Sequence, residues 1–125
     1  VYLRNGAAWA QVARLTAPDG AAGDAFGSSV AIHGDTLVVG APYDDTGSMA
    51  DHGSAHVYVR LAGTWTYQAR LQPSAAAAGD HFGTAVAISG ETVLAGVPYD
   101  DYAGDPFAIN VGSGVVFVRS GSVWT

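Results

Sequence analysis

The sequence repeats itself, and this repeat constrains the fold more than any other feature. Gly23–Gly27 (GDAFG) returns as Gly79–Gly83 (GDHFG), 56 positions later. Gly40–Asp45 (GAPYDD) returns as Gly96–Asp101 (GVPYDD) at the same spacing. Self-similarity at a fixed period indicates a repeat architecture, in which each period is one supersecondary unit. We therefore expect the chain to stack at least two copies of one unit.

A third match shows where the two periods differ in length. Val57–Arg60 returns as Val116–Arg119, and the spacing is now 59 positions. The three extra residues fall in a loop rich in Gly and Asp, between Asp101 and Gly112. The opening residues Val1–Arg4 repeat the same motif once more. The chain therefore holds two periods plus a duplicated stretch.

Each period predicts four short strands, labelled A to D, that are separated by turn residues. Strands A and B are apolar on both faces, whereas strand D alternates apolar and polar residues as a half-exposed strand does. No window predicts a helix. The predicted strands are Ser28–Ile32 and Thr84–Ile88 (A), Thr36–Ala41 and Thr92–Val97 (B), Ala55–Arg60 and Gly114–Arg119 (C), and Trp9–Leu15 and Trp65–Leu71 (D).

Four strands per unit, with buried inner strands and a polar outer strand, are typical of a β-propeller blade. The sequence therefore predicts an all-β fold of β-propeller blades with four antiparallel strands each, a partial propeller of about two blades plus a duplicated edge. Residues 1–22 are expected to form an opening C–D hairpin, 23–78 the first full blade, and 79–125 a second blade with an incomplete outer strand. A β-sandwich of two sheets is the alternative fold.

These motifs resemble the FG-GAP repeat of the integrin alpha-subunit propeller. The resemblance rests on Phe26-Gly27 followed by Gly40-Ala41-Pro42, on Phe82-Gly83 followed by Gly96-Val97-Pro98, and on the Val-Tyr/Phe-Val run after each. It covers essentially the whole chain and is closest to bacterial secreted or surface proteins with tandem repeats. The resemblance implies adhesion or ligand binding outside the cell rather than catalysis.

The chain departs from the family at its calcium loop. Many repeats of the family carry alternating Asp residues between the Phe-Gly and the Gly-Ala-Pro motifs, but Ser28–Val39 contains only Asp35. Calcium needs six to eight oxygen ligands, several of them carboxylate. We therefore expect no calcium there, and no other cofactor or metal. Any cation would be held in the B–C loops, by Asp44, Asp45 and Asp51 or by Asp100, Asp101 and Asp105.

Composition excludes several other classes. The chain has 5 basic and 11 acidic side chains, and its net charge of −6 is unlike the basic footprint of a nucleic-acid-binding protein. No apolar run approaches the ~18 residues of a membrane helix. The absence of Cys excludes disulfides. Ser, His and Asp all occur, but no strand-to-helix elbow would hold a nucleophile, and we expect no enzyme.

The acidic residues are predicted to gather on one face. In a four-stranded meander the B–C and D–A loops lie at one end of the sheet and the A–B and C–D turns at the other. Nine of the 11 acidic residues fall in the B–C and D–A loops. Long, variable loops on a rigid scaffold commonly carry recognition. The expected ligand-binding face consists of Asp44, Asp45, Asp51, His52, Asp100, Asp101, Tyr102, Asp105 and Phe107.

The same residues also have a structural interpretation. Asp is a good turn former because its side chain accepts hydrogen bonds from nearby backbone N–H groups. Asp24 and Asp80, which repeat, are expected to tie down the D–A loops and to pair with Arg14 and Arg70. The unrepeated residues Asp51, His52, Asp105, Phe107 and Asn110 have the better claim to a function.

Three functions follow as hypotheses. The first is a non-catalytic extracellular adhesion or ligand-binding module whose acidic loop face meets a protein or glycan. The second is a structural repeat protein that polymerises into a filament or surface layer, and the third is a lectin that stacks sugars on Tyr43, Tyr99, Tyr102 and Phe107. Because a free end blade would expose an apolar face, we also expect further blades in the same chain or head-to-tail self-association.

Overall fold

The structure is a computed structural model that describes residues 1–101, 107 and 109–125. Every regular element in these residues is a strand. No helix long and apolar enough to cross a membrane occurs in them. The ten strands are β1 (Tyr2–Asn5), β2 (Ala8–Gln11), β3 (Ser29–His33), β4 (Thr36–Ala41), β5 (Ser54–Leu61), β6 (Thr64–Leu71), β7 (Val86–Ser89), β8 (Thr92–Val97), β9 (Ser113–Ser120) and β10 (Val123–Trp124).

The strands form two four-stranded antiparallel sheets and one hairpin. The first sheet, blade 1, has the order β3-β4-β5-β6, and the second, blade 2, has the order β7-β8-β9-β10. Strands β1 and β2 pair as a separate opening hairpin. The predicted strand succession C–D–A–B–C–D–A–B–C is confirmed, and β10 adds a final D strand of two residues.

One predicted strand is shorter than expected. The alternation predicted a D strand that extends to Leu15, but β2 ends at Gln11. Its partner β1 begins at Tyr2, and Val1 accepts the last two backbone hydrogen bonds, from Val12 and Ala13. Residues beyond Ala13 therefore have no neighbouring strand with which to continue the ladder.

The A–B hairpins form where the sequence predicts them. His33 pairs with Thr36, which leaves a two-residue turn that begins with Gly34 at a φ of +57°. In blade 2, Ser89 pairs with Thr92 around Gly90 in the same way. Two-residue hairpin turns of this kind favour glycine at the first central position because φ is positive there.

The main core lies between the two blades. Val38 and Val57 project from blade 1 toward blade 2 and are fully buried. They meet Phe82, Val93 and Phe117, which belong to the second period. The ring of Phe82 also packs edge-on against that of Phe117, at a centroid distance of 6.0 Å. Burial of this apolar surface holds the blades together.

The two blades stack in the same orientation, because equivalent residues face the same way in both. Val57 faces blade 2, and its equivalent Val116 faces away from blade 1 and is 55% exposed. The other faces of the two blades also match. Leu37 packs against residues that precede blade 1, and its equivalent Val93 packs against blade 1. This arrangement is that of consecutive propeller blades, and the sheets do not close.

Strands A (β3 and β7) and B (β4 and β8) are apolar on both faces, but only β4 is fully buried on both. All six residues of β4 are buried, between blade 2 and residues of the opening hairpin. In β8 the residues alternate between buried and exposed, and Leu94 is 48% exposed. In β3, Val30 and Ile32 are exposed as well. These strands have a packed sheet on one side only.

Candidate ligand-binding face

The B–C loops (42–53 in blade 1; 98–101 and 109–112 in blade 2) and the D–A loop (72–85) meet at one end of the blades, and we call this end the loop face. The backbone N–H groups of Gly79, His81 and Phe82 donate to carbonyls of residues 50–52, at 2.9–3.2 Å. Gly53 and Phe82 form an isolated parallel bridge at the same place. The B–C loop of blade 1 is thereby fixed to the loop that leads into blade 2.

The repeated aspartates Asp24 and Asp80 organise the D–A loops. Both are buried, and each carboxylate accepts a hydrogen bond at 2.6 Å from the backbone N–H three residues earlier, at Ala21 and Ala77. The structural interpretation of these two residues therefore agrees with the geometry. The expected pairing with arginine is wrong for both residues, because Arg70 binds Asp44 and Asp19 instead and no ion pair joins Asp24 to Arg14 among the described residues.

Asp44 lies at the centre of a buried polar network in blade 1. Its carboxylate accepts hydrogen bonds from the hydroxyl of Ser54 and from Arg70 Nη2, the latter at 2.7 Å. Arg70 also donates to Thr46 at 2.7 Å and forms an ion pair with Asp19 at 3.2 Å. A partly buried arginine that meets two carboxylates is a strong anchor. Strand β6 is thus tied to the B–C loop.

His52 extends this network below the loop surface. It is 1% exposed, its Nδ1 lies 3.1 Å from the carbonyl oxygen of Asp44, and its Nε2 lies 3.0 Å from the side-chain amide of Gln72. Asp44 is buried as well. The structure therefore places Asp44 and His52, both expected on the binding face, in the support of the loop rather than on its outer surface.

His56 is fully buried in the same network, and its protonation state follows from its neighbours. Ser54 gives its single proton to Asp44, so its oxygen accepts from His56 Nε2–H at 2.9 Å. The other ring nitrogen, Nδ1, has no hydrogen-bond partner. Burial lowers the pKa of His56 below its usual value, and this effect outweighs the opposing attraction of Asp19 and Asp44. The ring is neutral at pH 7.

Both B–C loops are closed by the same backbone device. Asp45 Oδ1 accepts the N–H of Asp51 at 2.8 Å, and Asp101 Oδ1 accepts the N–H of Asn110 at 2.7 Å. Asp51 and Asn110 share a positive φ of 51°, a conformation that Asp and Asn tolerate. These two residues looked unrepeated in the sequence, and the structure shows that they are equivalent.

Aspartates remain at the surface of the loop face without a cationic partner. Asp45, Asp51 and Asp101 are exposed, and no Arg or His pairs with them among the residues that the structure describes. Asp100 is half-buried. These are the described aspartates of the expected set that the surface presents.

At the opposite end of the blades, which we call the turn face, arginines neutralise the charge of the acidic side chains. Asp35 pairs with Arg60 at 2.6 Å, and Glu91 pairs with Arg119, whose Nη2 donates at 2.8 Å. The hydrogen bonds from Arg119 lower the pKa of Glu91. The two acidic side chains of the turn face are thus each matched by an arginine, whereas the loop face keeps exposed negative charge.

An aromatic row runs across the loop face between the two blades. The ring of His81 lies 4.8 Å from the ring centroid of Tyr43 and 4.8 Å from that of Tyr99, edge to face in both cases. The two tyrosines are 45% and 47% exposed. Their backbone N–H groups donate to the carbonyls of Asp24 and Asp80, which fixes their positions. No sequence pattern singles out His81, because its contacts with Tyr43 and Tyr99 join two different loops.

Of the remaining expected site residues, only Phe107 is described, and it belongs to the second B–C loop. Phe107 is 91% exposed. Tyr102 and Asp105 lie outside the described residues. Within the described part of the chain, no group of three or more His, Asp or Glu side chains is arranged to hold a metal ion. The carboxylate of Asp44 is engaged by Arg70, and that of Asp45 accepts the N–H of Asp51.

Two four-stranded sheets, stacked in one orientation with their connecting loops at one end, define a partial β-propeller. The family model of the FG-GAP repeat matches residues 9–58 and 65–118, and the chain therefore belongs to the FG-GAP repeat family. The comparison with curated proteins gave no match. FG-GAP repeats are generally non-catalytic and typically occur in adhesion or ligand-binding propellers of extracellular or surface proteins.

The family match is offset from the sheets. Each matched segment starts at or beside a D strand and ends in the C strand of the next sheet, as 65–118 runs from β6 to β9. A single repeat therefore contributes strands to two neighbouring blades. This offset links consecutive blades through their D–A loops, which are the loops that build the loop face.

Proposed function

We propose that this chain is a non-catalytic ligand-binding module of an extracellular or cell-surface adhesion protein, and that its loop face contacts the ligand. The observation that carries the proposal is the charge difference between the two ends of the blades. The loop face presents Asp45, Asp51 and Asp101 without cations, whereas the turn face neutralises its own acids. A surface of this kind attracts a partner with exposed positive charge.

The rigidity of the loops supports the same proposal. The backbone bonds between residues 50–52 and 79–82, the Asp45–Asp51 closure and the buried anchor of Arg70 hold the loop before any ligand arrives. A surface that is already ordered loses little conformational entropy on binding. The ligand that fits best is therefore a protein segment with Lys or Arg side chains.

A peptide array with varied Lys and Arg content tests the proposal. We expect the chain to retain basic peptides and to release them as salt rises. The double variant D45N/D51N removes two charges, and each Asn keeps a side-chain oxygen. At the position equivalent to Asp51, the second repeat naturally carries Asn110. We expect this variant to weaken binding at least about tenfold.

The matched control is the double variant D35N/E91Q, which removes the same charge from the turn face. We expect it to bind basic peptides as the parent chain does. Equal losses in both double variants would mean that net charge alone drives retention, and no preference for basic peptides would contradict the proposal.

A lectin function is the second candidate, and the aromatic row of Tyr43, His81 and Tyr99 favours it. Exposed aromatic rings held at fixed positions suit stacking against the apolar face of a sugar ring. A glycan array decides between the two functions. Glycan binding that is lost in Y43A and Y99A, and is insensitive to D45N/D51N, would favour the lectin.

A further inference from the structure

The aromatic row and the exposed aspartates of the loop face lie side by side at the seam between the two blades. The backbone N–H of His81, in the middle of the row, donates to the carbonyl oxygen of Asp51 at 3.2 Å. The N–H of Asp51 in turn donates to the carboxylate of Asp45 at 2.8 Å. Both carboxylates therefore belong to residues that are bonded, directly or through one neighbour, to the residue on which the two tyrosines pack.

The seam has described chain on both of its sides. Tyr43 donates its backbone N–H to Asp24 of the preceding D–A loop, at 3.3 Å, and its ring packs on His81 of the following D–A loop. With both neighbours in place, Tyr43 is still 45% exposed. Its exposure is therefore a property of the seam itself.

The side chain of His81 is not required to build the loop that carries it. The equivalent residue of the first repeat is Ala25, and Ala25 and His81 have the same backbone conformation, with φ values of 54° and 55°. The carbonyl oxygen of each accepts the hydroxyl of the residue three positions later, at 2.7 Å. The imidazole is thus an addition that distinguishes this seam from the one before it.

The row carries polar groups that the described residues leave without hydrogen bonds. The ring nitrogens of His81 and the hydroxyl groups of Tyr43 and Tyr99 make none with them. An imidazole can donate and accept a hydrogen bond, and so can a phenol. Aromatic rings beside such groups suit a ligand that has an apolar face edged with hydroxyls, which is the chemistry of a sugar ring.

The neighbouring carboxylates select among sugars by charge. Asp45 and Asp51 are exposed, and no Arg or His of the described residues pairs with them. An acidic sugar would be repelled by them, and a neutral sugar would leave them without a cation. An ammonium group on the sugar ring would supply that cation. A basic peptide supplies the same charge but has no sugar ring to place on the aromatic row.

We propose that the seam between the two blades binds amino sugars that carry a free ammonium group. The sugar ring packs on Tyr43 and His81, its hydroxyls bond to the polar groups of the row, and its ammonium pairs with Asp51 and Asp45. Glucosamine polymers with free amines belong to this class of ligand. The proposed function is a premise here, because the loop face must be the surface that meets the ligand.

Two glucosamine tetramers of the same linkage test the role of charge. One has free amines and the other is fully N-acetylated, so they share their ring faces and differ in charge. In calorimetric titrations at pH 6, where the free amines are protonated, we expect the amino tetramer to bind at least about tenfold more tightly. The variant D45N/D51N should reduce this preference to within about twofold. Equal binding of the two tetramers to the parent chain would overturn the proposal.

Variants of the row test the stacking, with tetralysine as a control ligand of equal net charge. H81A copies the natural Ala25, and Y43A removes an exposed ring. We expect each variant to weaken binding of the amino tetramer at least about fivefold and to leave tetralysine binding unchanged. H33A removes an exposed histidine from the turn face and should change neither. Row variants that weaken both ligands equally, or that leave the amino tetramer unaffected, would overturn the packing on the row.

The same probes distinguish this ligand class from the basic protein segment of the proposed function. Binding of tetralysine that D45N/D51N weakens, without any binding of the amino tetramer, would overturn the amino-sugar site and leave the proposed function standing. Failure of both probes to bind would overturn the two together. Binding of the amino tetramer that needs the aspartates and the row at once is the expected result, and neither a neutral lectin nor a purely electrostatic surface gives it.

Discussion

Equivalent positions in the two repeats show how a single residue changes its role with its neighbours. Asp44 and Asp100 follow the same Pro-Tyr pair, yet Asp44 is buried against Arg70, whereas Asp100 is half-buried. His56 is in the core of blade 1, and its equivalent in blade 2 is Val115. These natural differences provide matched substitutions for testing individual side chains.

His56 is expected to make the protein less stable in acid. Burial lowers its pKa in the folded state, so below the unfolded pKa of ~6.5 the unfolded chain binds a proton that the folded chain does not. Stability from this group is therefore present above pH 6.5 and falls as pH drops, by up to about 1.4 kcal/mol per pH unit.

The substitution His56→Val, which copies Val115, removes this contribution. Denaturant unfolding of parent and variant between pH 7.5 and 5 should show a steeper loss of stability in the parent. The absolute stabilities at pH 7.5 can differ without affecting this test. Parallel curves over the whole range would contradict the assignment of a buried neutral histidine.

Gly40 and Gly96 occupy equivalent positions with different surroundings. A Cβ on Gly40 would lie 2.0 Å from the carbonyl oxygen of Gly83, whereas the nearest atom to a Cβ on Gly96 is 3.8 Å away, at Ala85. We expect Gly40→Ala to lower the free energy of unfolding by about 3 kcal/mol or more and Gly96→Ala to change it by less than about 1 kcal/mol. Thermal melts of both variants measure the difference, and equal effects would contradict the close approach of the blades.

Several residue roles could not be predicted from the sequence, because they depend on which loops meet. Asp44 and Arg70 are 26 positions apart, and no local pattern connects them. The equivalence of Asp51 and Asn110 was hidden by the three-residue insertion and by the change of residue type. By contrast, the capping role of Asp24 and Asp80 was predictable, since both bond to a backbone N–H only three residues away.

At the scale of strands, the repeat made the prediction strong. Each of strands A to C occurs twice with the same pattern, and the structure confirms all of these strands within a few residues. The first D strand was predicted to be longer than it is. Its alternation continues to Leu15, whereas its pairing with β1 ends at Gln11, opposite Tyr2. Apolar alternation predicts which residues suit a strand, but pairing decides where the strand ends.

The packing of strands between blades leads to a prediction from another matched pair. Val57 is fully buried between the blades, and its equivalent Val116 is 55% exposed on the outer face of blade 2. We expect Val57→Ala to lower the free energy of unfolding by about 2 kcal/mol, because it removes buried methyl groups and leaves a cavity.

Val116→Ala is the control and should change stability by no more than about 0.5 kcal/mol. Both variants are compared by denaturant unfolding at a concentration low enough to exclude self-association. A larger loss for Val116→Ala than for Val57→Ala would mean that the blades do not stack as described.

At the scale of the whole molecule, the predicted separation of loops and turns was sufficient to place the acidic residues. Meander connectivity puts B–C and D–A loops together, and the backbone bonds between these loops show that they meet. The aromatic row was not predictable, because it arises only where loops of the two blades come into contact.

An NMR titration of the isotopically labelled chain, with the basic peptide that the array retains best, tests ligand binding at the loop face directly. We expect amide shift changes at Tyr43, Asp45, Asp51 and Asp101 on the loop face, at peptide concentrations that leave the amides of Asp35 and Glu91 unchanged. Shift changes centred on the turn face, or spread evenly over both ends of the blades, would contradict binding at the loop face.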